Sequence, residues 1–108
     1  MNRESLGEFE QAVLLAVAHV DSAYGVTIRR EIERRTDREV AVGALYTALE
    51  RLERKGYLKS TMSDPTPERG GRSKRHYTLR PAGAAALRRS RELMDRMWRG
   101  LSVKELEP

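Results

Sequence analysis

The chain has 108 residues, with 21 Lys and Arg against 16 Asp and Glu, a net charge of +5 and no cysteine. That length sets one domain with a modest core, of a size that often completes itself by association. The composition excludes a disulfide framework and a thiolate metal site, and no apolar run approaches the roughly 20 residues that cross a bilayer.

Residues 8–20 predict a first helix, because Phe9, Val13, Ala16, Val17 and Val20 recur at helical spacing. Leu14 and Leu15 widen that stripe almost all round. A helix apolar on most sides is buried on most sides, which in so small a chain points to a second subunit. Asp21 and Ser22 read as turn and N-cap residues before a second helix over 23–35. Tyr24, Ile28 and Ile32 form its inner stripe. Arg29, Arg30, Glu33 and Arg34 form a solvated outer face, with Glu31 four residues before Arg35.

Residues 36–41 connect to a third helix over 42–56. Val42, Leu45, Ala48, Leu49 and Leu52 fall on its inner side, and Gly43, Tyr46, Thr47, Glu50, Arg51 and Arg54 fall opposite. Gly56 is a natural stop. Two helices joined by a short connection make a helix-turn-helix. Residues 57–62 and 74–79 alternate as short strands, with Tyr77 and Leu79 in phase and His76 pointing the other way. Pro65, Pro67, Gly70 and Gly71 permit a turn between them, giving a two-stranded wing. Pro81 suits the first turn of a fourth helix running to about residue 100. Its Leu87, Met94 and Leu101 lie seven apart, flanked by Met97 and Trp98, a seam suited to pairing with another helix. The tail 102–108 carries no pattern.

The expected fold class is therefore mostly α with a small two-stranded β wing. A winged helix-turn-helix DNA-binding domain occupies 1–80, and a C-terminal dimerisation helix with a short tail occupies 81–108.

Charge is not spread evenly. Residues 1–56 carry a net −1, residues 57–83 a net +4, and residues 84–108 a net +2. Residues 69–75 read RGGRSKR: four cations and two adjacent glycines in seven residues, with no acid. A basic, glycine-hinged hairpin beside an amphipathic helix suits the negative, grooved surface of duplex nucleic acid.

The segments LGEFEQAVLLAV (6–17), AYGVTIRREIE (23–33), VGALYTALERLERKGYL (42–58), PERGGRSKRHYTL (67–79) and AGAAAL (82–87) resemble the PadR-like transcriptional regulators over about residues 6–100. The short length resembles the branch of that family with a single C-terminal dimerising helix. Arg80 stands where such chains often place a threonine cap. The resemblance implies a transcription factor, and repression rather than activation rests on it alone.

A helix in the major groove reads bases from its N-terminal half. Gly43 is small enough for close approach. Tyr46 and Thr47 can meet a base edge, sugar or phosphate, and Arg51 and Arg54 can reach phosphates or guanine. Arg69, Arg72, Lys74 and Arg75 are candidate phosphate contacts, with Gly70 and Gly71 opening the wing tip. Phe9, Val13, Leu14 and Val17 would pack against the partner's Leu87, Met94, Met97, Trp98 and Leu101. A homodimer built this way presents two recognition helices to a palindromic double-stranded operator. The resemblance also implies a site between the C-terminal helices for a small apolar or aromatic effector. Met94 and Trp98 lie near that position and either stack on such a ligand or pack the interface.

His19 and His76 sit in no metal or triad spacing, and no Gly-Lys-Ser/Thr follows the glycines near 70. No catalysis, cofactor or metal is expected. The N-terminus lacks the apolar stretch of a secretory signal, so a cytoplasmic protein without membrane association is expected. The rival reading is a winged-helix protein–protein adaptor that binds no DNA.

Overall fold

The computed structural model describes residues 6–63 and 74–108. In chain order they form α1 (Glu8–His19), α2 (Gly25–Thr36), α3 (Val42–Arg54), β1 (Leu58–Met62), β2 (Arg75–Leu79) and α4 (Pro81–Trp98), followed by a 3-10 turn at Val103–Leu106. β1 and β2 pair antiparallel, with Leu58 opposite Leu79 and Ser60 opposite Tyr77. This is the expected winged helix: three helices, a two-stranded wing and a longer C-terminal helix.

The core sits where α1, α2, α3 and the wing root meet. Val13 and Leu14 of α1, Ile28 of α2, Leu49 and Leu52 of α3 and Leu58 of β1 are fully enclosed there, and Tyr77 and Ala86 close it. Leu14 and Leu15 part company: the first is buried and the second is exposed. Val42, placed by periodicity on the inner side of α3, is also exposed. As the first helical residue it projects beyond the body that covers Leu45 and Leu49.

The start of α2 differs from the expected cap at Asp21 and Ser22. The N-cap is Tyr24, in extended conformation. Its amide donates to Thr27 Oγ1 at 3.0 Å, and that hydroxyl donates back to Ser22 O at 2.6 Å. The chain before it runs extended because Ala23 O accepts from the Tyr77 amide at 2.8 Å. The segment thus docks on the free edge of β2, and Tyr24 leaves the inner stripe of α2. Glu33, expected in solvent, is partly buried and accepts from the Val40 amide at 2.8 Å, which holds the α2–α3 connection closed.

The end of α3 is a Schellman motif. Tyr57 N–H bonds Leu52 O, Gly56 N–H bonds Glu53 O, and Gly56 takes φ 82°. The left-handed turn is where glycine has no steric penalty. It ends the helix two residues before the sequence boundary and aims β1 back along the core. Arg80 is the N-cap of α4 without a side-chain cap bond, and Pro81 opens the helix. Gly83 and Ala86 are buried, whereas every residue from Arg91 to Leu101 is exposed. The first turns of α4 belong to the same core as the winged helix, and the rest is an arm.

An ion pair ties the N-terminus of α1 to the C-terminus of α3. Glu10 accepts from the Gly7 amide at 3.1 Å and from Lys55 Nζ at 3.2 Å. Burial pushes its carboxyl up, but the hydrogen bonds from Gly7 and Lys55, with the charges of Lys55 and Arg51, outweigh it and hold the carboxyl below its ordinary value. A lowered folded-state pKa adds stability at neutral pH that is lost as the pH falls through that value. Glu10→Gln is therefore expected to cost no more than about 1 kcal/mol at neutral pH, because water screens such a pair. It should also flatten the acid limb of a denaturation profile measured by circular dichroism between pH 7 and 3.

Candidate nucleic-acid interface

α3 is amphipathic, and its outward face divides into two rows. Gly43, Thr47 and Arg51 lie along one edge, and with Gly7, Glu8 and Phe9 they line an open groove of about 500 Å³ beside the start of α1. Both acids of that first turn are engaged by cations, Glu8 by Arg38 at 2.8 Å and Glu10 by Lys55. Their repulsion of a polyanion is correspondingly reduced. Arg51 is exposed and makes no ion pair among the described residues, while Arg54 pairs with Glu50 at 3.0 Å. The Arg54 pair is exposed at both ends, so water screens it and it gives way easily to a stronger acceptor.

Tyr46 occupies the second row, on the side of α2. It is half exposed, and its hydroxyl end lies against Gly25: a Cβ at that glycine would come within 2.3 Å of Tyr46 Oη and 2.9 Å of Cζ. The glycine of the Ala-Tyr-Gly run is therefore the seat of the α3 tyrosine. The residue pair is visible in the sequence, but its pairing is not, because the partners lie 21 positions apart.

The basic stretch falls partly outside the described residues: Arg69, Gly70, Gly71 and Arg72 lie there. Lys74 and Arg75, at the end of the wing away from the core, point to opposite faces, and each has a partner. Lys74 Nζ sits 4.3 Å from the centroid of the Tyr24 ring, a cation–π contact. His76 meets the same ring edge-on at 5.5 Å and is half-buried rather than fully exposed. Arg75 Nη1 donates to Ser60 Oγ at 2.9 Å. Tyr77 lies in the core as its phase predicts. Burial pushes its phenol up, and the nearby Arg75 charge pulls the other way.

Along α4 and just past its end, Leu93, Met94, Met97, Trp98 and Leu101 leave about half or more of their surface in water. Leu15 of α1 and Leu87, Met94 and Trp98 of α4 line a groove of about 610 Å³. Phe9 and Leu87 are half-buried against the core. Val13, Leu14 and Val17, expected at an interface, are buried within the protomer itself at 0%, 0% and 6% exposure. The apolar face of α1 left to an outside body is the one that carries Leu15. Among the described residues no helix is long and apolar enough to cross a membrane, and no three His, Cys, Asp or Glu side chains cluster as a metal site would require.

Comparison with known proteins agrees with this geometry. No curated protein matches the chain. Among solved structures, the chain is similar to RosR of H. salinarum, at 25% identity over 94% of this chain and 84% of that one, with a TM-score of 0.72. It is similar to a PadR family transcription regulator from Clostridium difficile R20291, at 26% identity over 86% and 88% of the two chains, with a TM-score of 0.66. A transcriptional regulator from Clostridium thermocellum shares the fold, at 24% identity over 82% and 81%, with a TM-score of 0.69. Residues 14–89 match the family described as "Transcriptional regulator PadR-like family". That span holds α2, α3, the wing and the start of α4, and the chain belongs to the PadR-like family of transcriptional regulators.

Proposed function

We propose that this chain is a homodimeric repressor that binds a palindromic operator through α3 and the basic wing. A small apolar or aromatic effector acting between the C-terminal helices releases it. The observation that carries the reading is the exposed row Gly43, Thr47 and Arg51 on a helix whose Leu45, Ala48, Leu49 and Leu52 are buried opposite, with a wing carrying Lys74 and Arg75 beside it. Small, hydroxyl and guanidinium groups in that order suit close approach, base-edge contact and phosphate contact. The unpartnered apolar arm of α4 supports the dimer, since a second copy would cover Met94, Met97, Trp98 and Leu101. Release is a population shift: an effector that prefers a dimer with the wrong helix spacing weakens DNA binding by its difference in affinity.

Selection of bound duplexes from a random pool tests the reading, and an inverted repeat is the expected outcome. Affinity for the selected duplex should fall with salt by about 0.9 log units per phosphate contact per log of salt. Recovery of no preferred duplex, together with salt-insensitive binding to a protein, would instead favour the adaptor.

A further inference from the structure

We propose that Arg75 is a positioning residue: acting through Ser60 and Glu53, it braces the wing against the recognition helix. The proposal rests on the reading of α3 and the wing as one DNA-binding surface. Three elements each contribute one member. Arg75 Nη1 on β2 donates to Ser60 Oγ on β1 at 2.9 Å, and Ser60 Oγ donates to Glu53 Oε2 on α3 at 2.5 Å. The strand register puts Ser60 opposite Tyr77 and Met62 opposite Arg75, so the two side chains lie diagonally on the core-facing side of the wing.

The direction of the chain is fixed by chemistry. An ionised carboxylate can only accept, so the single hydroxyl proton of Ser60 goes to Glu53. The lone pairs left on the hydroxyl then face a guanidinium, which can only donate. Both links involve an ionised group and are of the stronger kind. Among the described residues neither Glu53 nor Arg75 forms any ion pair.

The placement matters because a two-stranded sheet is marginal by itself. The backbone joins α3 to β1 only through Lys55, Gly56 and Tyr57, with Gly56 at φ 82°. Backbone hydrogen bonds fix that turn, and the bridge from Glu53 to Ser60 adds a side-chain link across it, farther out along β1. The Arg75 bond extends that link to the second strand. A carboxylate one hydroxyl away also offsets the attraction of this guanidinium for phosphate.

The test uses the full chain and the duplex recovered by selection, with Kd measured across a salt series. Ser60→Ala, Glu53→Gln and Arg75→Gln should each weaken binding by a similar factor, roughly three- to tenfold. The Arg75→Gln/Ser60→Ala double variant should bind no worse than Arg75→Gln alone, Ser60→Thr should bind as the parent does, and the salt slope should stay unchanged throughout. The proposal is overturned if Arg75→Gln lowers the slope by about 0.9 while Ser60→Ala leaves affinity untouched, since Arg75 would then be a phosphate contact. Additive losses would overturn it too. If selection recovers no duplex, the DNA-binding reading is what fails, and the brace is judged on the free protein by amide hydrogen exchange. Ser60→Ala and Arg75→Gln should then speed exchange across β1 and β2 alike; unchanged exchange would overturn the brace.

Discussion

Gly83→Ala is expected to destabilise the protein by about 1–3 kcal/mol, the usual range for overpacking a filled site. Gly83 lies in the first turn of α4, where the helix presses on the chain leaving α3. A Cβ there would sit 2.5 Å from the Tyr57 carbonyl oxygen and 2.8 Å from Leu79 Cδ1. The carbonyl is backbone and is held by the Arg80 amide at 3.0 Å, so it cannot swing aside. The methyl therefore lifts α4 off the wing root. Gly43→Ala is the matched control. A Cβ at that glycine meets nothing within 4 Å, and alanine is the better helix former, so the fold should gain up to about 1 kcal/mol. The same methyl stands on the proposed DNA-facing row, so operator affinity should fall. Urea denaturation beside an operator titration reads both. A stable Gly83→Ala protein would mean that α4 does not press on Tyr57 as described.

Placing Glu at both Met94 and Trp98 is expected to produce a folded monomer with greatly weakened operator binding. Both side chains are nearly half exposed in the protomer, so the change removes little of its own core and surface substitutions usually stay within about 0.5 kcal/mol. Four carboxylates brought together across a two-fold axis would be desolvated without partners, which a dimer cannot tolerate. Two linked recognition helices gain roughly 10²- to 10⁴-fold over one, and that advantage should vanish with the pairing. Sedimentation equilibrium reports the oligomeric state, and a duplex titration reports the affinity. A variant that stays dimeric would move the interface away from α4.

Much of this fold was legible from periodicity. The stripes of Ile28 and Ile32 and of Leu45, Leu49 and Leu52, the stop at Gly56 and the Tyr77–Leu79 phase all follow from where apolar and glycine residues recur. What periodicity cannot say is which body covers a stripe. Val13 and Val17 were expected to face a partner and instead fill the protomer, because α2, α3 and the wing close over that side of α1 and leave Leu15 outside. The cap of α2 was misplaced because the bond from the Tyr77 amide to Ala23 O holds the chain on the edge of β2, so the helix begins only after Tyr24. The candidate site is read from the sequence as a helix face and a charge run, and most of that run lies outside the described residues. Its internal wiring is not: Glu53–Ser60–Arg75 and Gly25–Tyr46 join residues that only tertiary contact brings together.

The seat that Gly25 makes for Tyr46 has a practical bearing on attempts to retarget the protein. Libraries that randomise position 46 while keeping its neighbours would leave an empty notch at the head of α2 whenever a smaller residue is chosen, and a bulkier partner at position 25 would then fit without moving the residue at 46. The two sites should be varied as a unit, so that a new side chain at position 46 arrives with a floor to rest on.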